Sequence, residues 1–191
     1  MGSRLSIALS RVRIPAAVLV ALFALSACAG ERIPFTQNLR DQYRLEGEDL
    51  KKLQYFISSD VTLQREFLRE EGVVSKTHKL VFKEGGYFEE VFIAAGTPGI
   101  VTEVNPTSLA VSFEPGGSLF FGSPSSDRDP ERKYKLSAKR WTDYYGELFY
   151  DNKIYYAVKG SGQVYLEVGT ESLDAVEKKK KILPGRTLPT K

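Results

Sequence analysis

From Asp60 onward the apolar residues come in short alternating runs, cut by paired glycines, by prolines and by Asp-Asn or Gly-Ser-Gly turns. Val61, Leu63 and Arg65 alternate with Thr62, Gln64 and Glu66; Leu80 shares a face with Phe82, and Val91 with Ile93. Val104, Leu109, Val111 and Phe113 continue the β-rich composition. A period of two turns successive side chains to opposite faces of a strand, so this spacing predicts half-buried strands joined by hairpins.

The turn residues place the hairpins. Phe82-Lys83-Glu84-Gly85-Gly86 and Phe113-Glu114-Pro115-Gly116-Gly117 share the form Phe-x-x-Gly-Gly, and paired glycines supply the positive φ that tight turns need. Asp151-Asn152 separates Leu148-Phe149-Tyr150 from Ile154–Val158, a further hairpin. Gly160-Ser161-Gly162 turns the chain into Val164–Val168. The alternation predicts Ile154, Tyr156 and Val158 facing the core with Val164, Leu166 and Val168, and Tyr155 and Tyr165 on the other face. Gly122–Arg132 holds no apolar side chain apart from prolines and reads as a surface loop.

Before Asp60 the pattern is helical. Thr36 is a candidate N-cap for a helix over Gln37–Tyr43, and Glu48-Asp49 begin a second, to about Ser58, with Leu50, Leu53 and Ile57 on its apolar face. Residues 173–182 fit either a last strand or a short helix. The fold class expected is mainly β, of α+β type: two short N-terminal helices, then a curved antiparallel sheet or one or two small barrels. The expected boundaries are 1–27 for an export segment, 28–35 for a tether, 36–59 for the helices, 60–176 for the β-domain with a break at 122–132, and 177–191 for a basic tail.

Gly96-Thr97-Pro98-Gly99-Ile100-Val101, Glu103-Val104, Asn105-Pro106-Thr107-Ser108 and Leu109–Phe113 together resemble the central hairpin of SH3-like small barrels. The resemblance covers about 30 residues. It implies a strongly bent antiparallel sheet and no particular ligand.

The N-terminus carries a different signal. Arg4, Arg11 and Arg13 precede an apolar run, Ile14–Leu25, followed by the small residues Ser26 and Ala27. That run falls short of the roughly 20 residues of a membrane span and fits a cleaved export segment. Leu25-Ser26-Ala27-Cys28 resembles the lipobox of bacterial lipoproteins. The resemblance implies a cut before Cys28 and a diacylglycerol on its sulfur, which removes the thiol from any catalytic role. A lone cysteine in an exported chain has no intramolecular disulfide partner, in keeping with this. Each buried methylene contributes roughly 0.8 kcal/mol, so two or more chains hold firmly. With Ala29 after the cysteine rather than the Asp that commonly retains diderm lipoproteins at the inner membrane, the resemblance implies the outer membrane, facing the periplasm or cell surface. Residues 29–35 span at most roughly 25 Å, which would keep the body close to the bilayer.

Charge narrows the partners. Three of the 27 lysines and arginines lie in the first 27 residues, which hold no acid, so the remainder balances 24 basic against 24 acidic side chains. That balance gives no argument for nucleic acid. Lys178, Lys179, Lys180, Lys181, Arg186 and Lys191 concentrate positive charge at the end, either a solvated tail or a surface for anionic lipid.

Catalytic and metal motifs are missing from the sequence. One histidine, His78, has no partner visible in the sequence and reads as a partly exposed structural residue; no cofactor or metal set is expected. Glu89-Glu90 would point to opposite faces of a strand, unlike the facing carboxylates of a glycosidase. The aromatic residues are the strongest feature: seven of ten tyrosines and the only tryptophan lie in 134–165. Such rings either stabilise a sheet through cross-strand pairs or anchor a ligand. Trp141, Tyr144, Tyr145, Tyr155 and Tyr165 are the candidate ligand surface. The expected function is non-enzymatic binding or scaffolding at the cell envelope with the ligand left open, an envelope protein or a cell-wall glycan being the candidate partners; the alternatives are a glycan- or peptidoglycan-binding module using the aromatic surface and an envelope hydrolase with an unrecognised site.

Overall fold

The computed structural model describes residues 30–68, 73–123, 129–158 and 160–181. Cys28 and the export segment lie outside them, as do Glu70, Glu71, Asp127 and the tail beyond Lys181. The described residues from Glu31 onward form one compact unit, mainly β, with two antiparallel sheets.

The expected tether is partly built into the body. Arg32–Pro34 form strand β1, paired with the last strand, and Phe35 is fully buried. Thr36 caps helix α1 (Gln37–Gln42), its hydroxyl accepting from the Leu39 amide at 3.0 Å, as the sequence predicts. The second helix is shorter than expected. Helix α2 covers only Gly47–Lys51, and Tyr55–Ile57 is strand β2. Tyr-Phe-Ile is a β-forming triplet, and pairing on both sides wins over helical spacing: Leu50, Leu53 and Ile57 are buried as predicted, but from the helix, the turn after it and the strand in succession.

Strand β3 (Val61–Glu66) turns Val61, Leu63 and Arg65 inward. Strands β4 (Lys79–Lys83) and β5 (Gly86–Ile93) form the first Gly-Gly hairpin, with Glu84 and Gly85 at φ +52° and +80°. Val91 and Ile93 are buried, but Leu80 and Phe82 are exposed, because β4 is an edge strand. Strands β6 (Pro98–Val104), β7 (Ser108–Glu114) and β8 (Gly117–Gly122) form a meander, with register shifts in β6 after Val101 and in β7 after Val111. Bulges of this kind bend a sheet. Short strands β9 (Lys135–Leu136) and β10 (Arg140–Trp141) lead to the hairpin of β11 (Tyr145–Tyr150) and β12 (Lys153–Val158). A 3₁₀ turn, Ser161–Gln163, precedes β13 (Leu166–Gly169), and helix α3 (Thr170–Lys181) follows. The first residues of the expected basic tail, 177–181, are thus helical.

The larger sheet runs β1-β13-β2-β6-β7-β8-β9, the smaller β10-β11-β12-β3-β5-β4. The larger one curls until its ends meet. The Leu136 amide donates to the Val164 carbonyl at 2.8 Å and the Leu166 amide to the Tyr134 carbonyl at 2.9 Å, around a bridge of Lys135 with Tyr165. Tyr55, Leu109, Val111, Leu119, Phe121 and Leu166 from this sheet share one core with Val61, Leu63, Val91, Leu148, Tyr150 and Tyr155 of the other. Residues on both sides of the 122–132 loop therefore fill the same interior.

The facing predicted for β12 is inverted. Tyr155 and Ala157 are fully buried, while Ile154 and Tyr156 are exposed. Asp151 and Asn152 both take positive φ, as a two-residue hairpin turn requires. This turn sets Leu148 opposite Tyr155 and Phe149 opposite Ile154. Since Leu148 and Tyr150 point inward, Tyr155 must follow them.

Candidate ligand surface and the buried His78 cluster

Trp141 sits on β10, the edge of the smaller sheet, opposite Gly146 of β11. Its six-membered ring lies across two glycines. A Cβ added to Gly146 would fall 2.4 Å from Cζ3, and one on Gly162 3.4 Å from Cζ2. At Gly146 only a residue without a side chain lets the indole lie this close, whereas Gly162 meets it at ordinary contact distance, and Trp141 remains 40% exposed. Trp141, Thr142, Asp143, Tyr145, Gly160 and Gln163 line an open groove of about 290 Å³.

The next turn presents the tyrosines. The Thr142 hydroxyl accepts from the amides of Tyr144 and Tyr145 at 3.3 and 3.1 Å, a side-chain-built turn that holds Tyr144 at its tip, 76% exposed. Tyr145 lies 5.0 Å from the ring of Tyr156, edge to face. Both line a second groove of about 640 Å³ with Tyr144, Phe88, Gln64 and Lys83. Lys83 donates to the Gln64 side-chain carbonyl, which holds these two polar groups in place beside the rings. Tyr145 belongs to both grooves.

Of the five predicted surface residues, Trp141, Tyr144 and Tyr145 come together. Tyr155 does not: it is fully buried, with its phenol pushed up to about 12 by burial, then drawn down by Arg65 and up again by Glu89. Tyr165 is half-buried on the larger sheet beneath the Lys133 ammonium, 5.1 Å away. Tyr156, which alternation placed in the core, takes the position expected of Tyr155.

Sequence reasoning missed a second constellation. His78 is partly exposed as a residue, but through its backbone: its side chain is only 3% accessible. Nδ1 lies 2.6 Å from Glu89 Oε1 and Nε2 2.8 Å from Glu114 Oε1. The same Glu89 accepts from Arg65 Nε at 2.7 Å, and Glu114 accepts from the Tyr150 hydroxyl at 2.5 Å. Burial opposes a charged His78, but the hydrogen bonds to Glu89 and Glu114 outweigh it and hold the ring above the ordinary histidine value. Burial likewise opposes charge on both carboxylates. His78 and Arg65 hold Glu89 below its usual range, and Thr77, Tyr150 and His78 do the same for Glu114. Burial, then Glu114, pushes the Tyr150 phenol up. The alternation of Val61, Leu63 and Arg65 was the one available signal, since an inward arginine requires a buried acid. With both ring nitrogens engaged, His78 has no free base to offer a substrate.

Among the described residues no cluster of His, Cys, Asp and Glu is arranged to hold a metal, and no helix is long and apolar enough to cross a membrane. No family model, curated protein or solved structure matches this chain.

Proposed function

We propose that this chain is an envelope lipoprotein, anchored through acyl chains on Cys28, whose β-domain binds a cell-wall glycan without catalysing a reaction. The observation that carries the reading is the indole of Trp141 backed by Gly146 and Gly162 and continued through Tyr145 to Tyr144 and Tyr156. Flat rings match the C–H faces of sugar rings, while Asp143, Gln163, Gln64 and Lys83 at the groove walls offer partners for hydroxyls. Two grooves meeting at Tyr145 suit successive units of a chain rather than one small molecule. The lipobox-like Leu25-Ser26-Ala27-Cys28 supports the anchor and the envelope location.

Sedimentation with purified sacculi tests the glycan reading. The wild type should pellet, and Trp141→Ala and Tyr145→Ala should lose at least tenfold in apparent affinity. Equal pelleting of all three removes the aromatic surface from consideration. The anchor is tested separately: Cys28→Ser should abolish incorporation of labelled fatty acid, and unchanged labelling would refute it.

A further inference from the structure

We propose that His78 is a proton-operated latch between the two sheets: carrying both ring protons it ties Glu89 of β5 to Glu114 at the end of β7, and losing one to solvent releases the tie to Glu114. The argument begins with hydrogen-bond chemistry. An ionised carboxylate only accepts, so both contacts of the ring require both nitrogens to donate. A neutral imidazole keeps one N–H and turns a lone pair toward the other carboxylate at hydrogen-bond distance.

The surroundings decide which contact yields. The groups facing His78 are Arg65 on β3, Glu89 on β5, Glu114 on β7, Tyr150 on β11 and Tyr155 on β12, with Thr77 beside it in its own loop and Asp151 beyond Tyr150. With the ring charged, two cations balance two carboxylates. Deprotonation leaves one uncompensated negative charge among side chains that are almost fully buried. Glu89, 2% exposed, is bound by Arg65 and belongs to the same sheet as that arginine. Glu114 is 19% exposed and stands on the opposite sheet, at a Pro115-Gly116 turn whose glycine takes φ +97°. Water can reach Glu114 and not Glu89. The proton therefore stays on Nδ1 toward Glu89, and the Glu114 turn, left with its hydrogen bonds from Tyr150 and Thr77, loosens.

The raised affinity of His78 for its proton agrees with this geometry and places release on the alkaline side of an ordinary histidine. An envelope protein meets the pH of its surroundings more directly than a cytosolic one, so a latch of this kind would report it to the junction of the two sheets.

His78 is the only histidine in the sequence, so its ring ¹⁵N signals in the full-length chain need no assignment to a residue, and their couplings to the two carbon-bound ring protons tell Nδ1 from Nε2. At pH 6 both nitrogens should report N–H. On raising the pH, Nε2 alone should lose its proton, with a midpoint above 6.5, the ordinary histidine value. Amides of the 114–117 turn should lose protection through the same transition, compared at each pH with His78→Gln, where the ratio should be flat. Glu114→Gln keeps an acceptor but removes the charge, and should lower the midpoint by one unit or more. If His78→Gln does not fold, the ring titration and the Glu114→Gln shift still decide. A midpoint at or below 6.5, loss of the Nδ1 proton instead, or no shift in Glu114→Gln overturns the latch.

Discussion

Glu89 and Glu90 are neighbours with opposite roles. Glu89 points inward and carries the charges of Arg65 and His78; Glu90 points outward and accepts from Gln64 at 2.8 Å. Removing one member of a buried ion pair leaves its partners uncompensated and costs about 3–5 kcal/mol, whereas a surface contact is worth about 1 kcal/mol or less. Glu89→Ala should therefore lower stability by about 3–5 kcal/mol in urea unfolding, and Glu90→Ala by less than about 1 kcal/mol. Equal losses would mean that the buried Arg65–Glu89–His78 cluster does not stabilise the fold.

At the scale of elements, the β11–β12 hairpin shows what alternation alone can decide. Its turn is legible, because Asp and Asn tolerate the positive φ that a two-residue connection needs. Its facing is not legible, since both phases of Ile154-Tyr155-Tyr156-Ala157-Val158 offer apolar or aromatic side chains. The partner strand settles it: Leu148 and Tyr150 point inward, the opposite phase of β11 carrying the charged Glu147, and the register carries Tyr155 with them. Tyr155 then reaches Arg65 with its ring, 5.7 Å from the guanidinium carbon, and Tyr150 edge to face at 5.8 Å. Truncating a fully buried aromatic ring costs on the order of 3–5 kcal/mol. Tyr155→Ala should show this in a denaturant titration, while Tyr156→Ala should cost about 1 kcal/mol or less and weaken sacculus binding instead. The reverse ranking would restore the facing read from alternation. The same reasoning explains the rest. Strands with one unambiguous phase, β3 and the inward half of β5, were readable, as was the Thr36 cap. The Trp141 platform was readable as residues but not as a site, because Gly162 joins it from 21 positions away. The partners of His78 lie 11 and 36 positions away on two sheets, beyond any local pattern.

For the molecule as a whole, the cluster couples stability to pH from both sides. His78 has its proton affinity raised by folding, so its contribution is complete below the unfolded value of 6.5 and fades as pH rises through the folded one. Glu89 and Glu114 are lowered, so theirs are complete above the unfolded value of 4.5 and fade as pH falls through the folded ones. Arg65 stays charged throughout. The three contributions are complete together only between about 4.5 and 6.5. The melting temperature of the wild type should have its maximum in that window and decline on both sides. His78→Gln should remove the alkaline decline and retain the acid one, because Arg65 still holds Glu89 and Tyr150 still holds Glu114. Each loss is spread over both sheets, since the cluster draws on β3, β5, β7 and β11, so calorimetry should find one cooperative transition at every pH rather than two. Separate melting of the sheets at alkaline pH, or a wild-type profile parallel to that of His78→Gln, would show that the charges are not coupled to the fold.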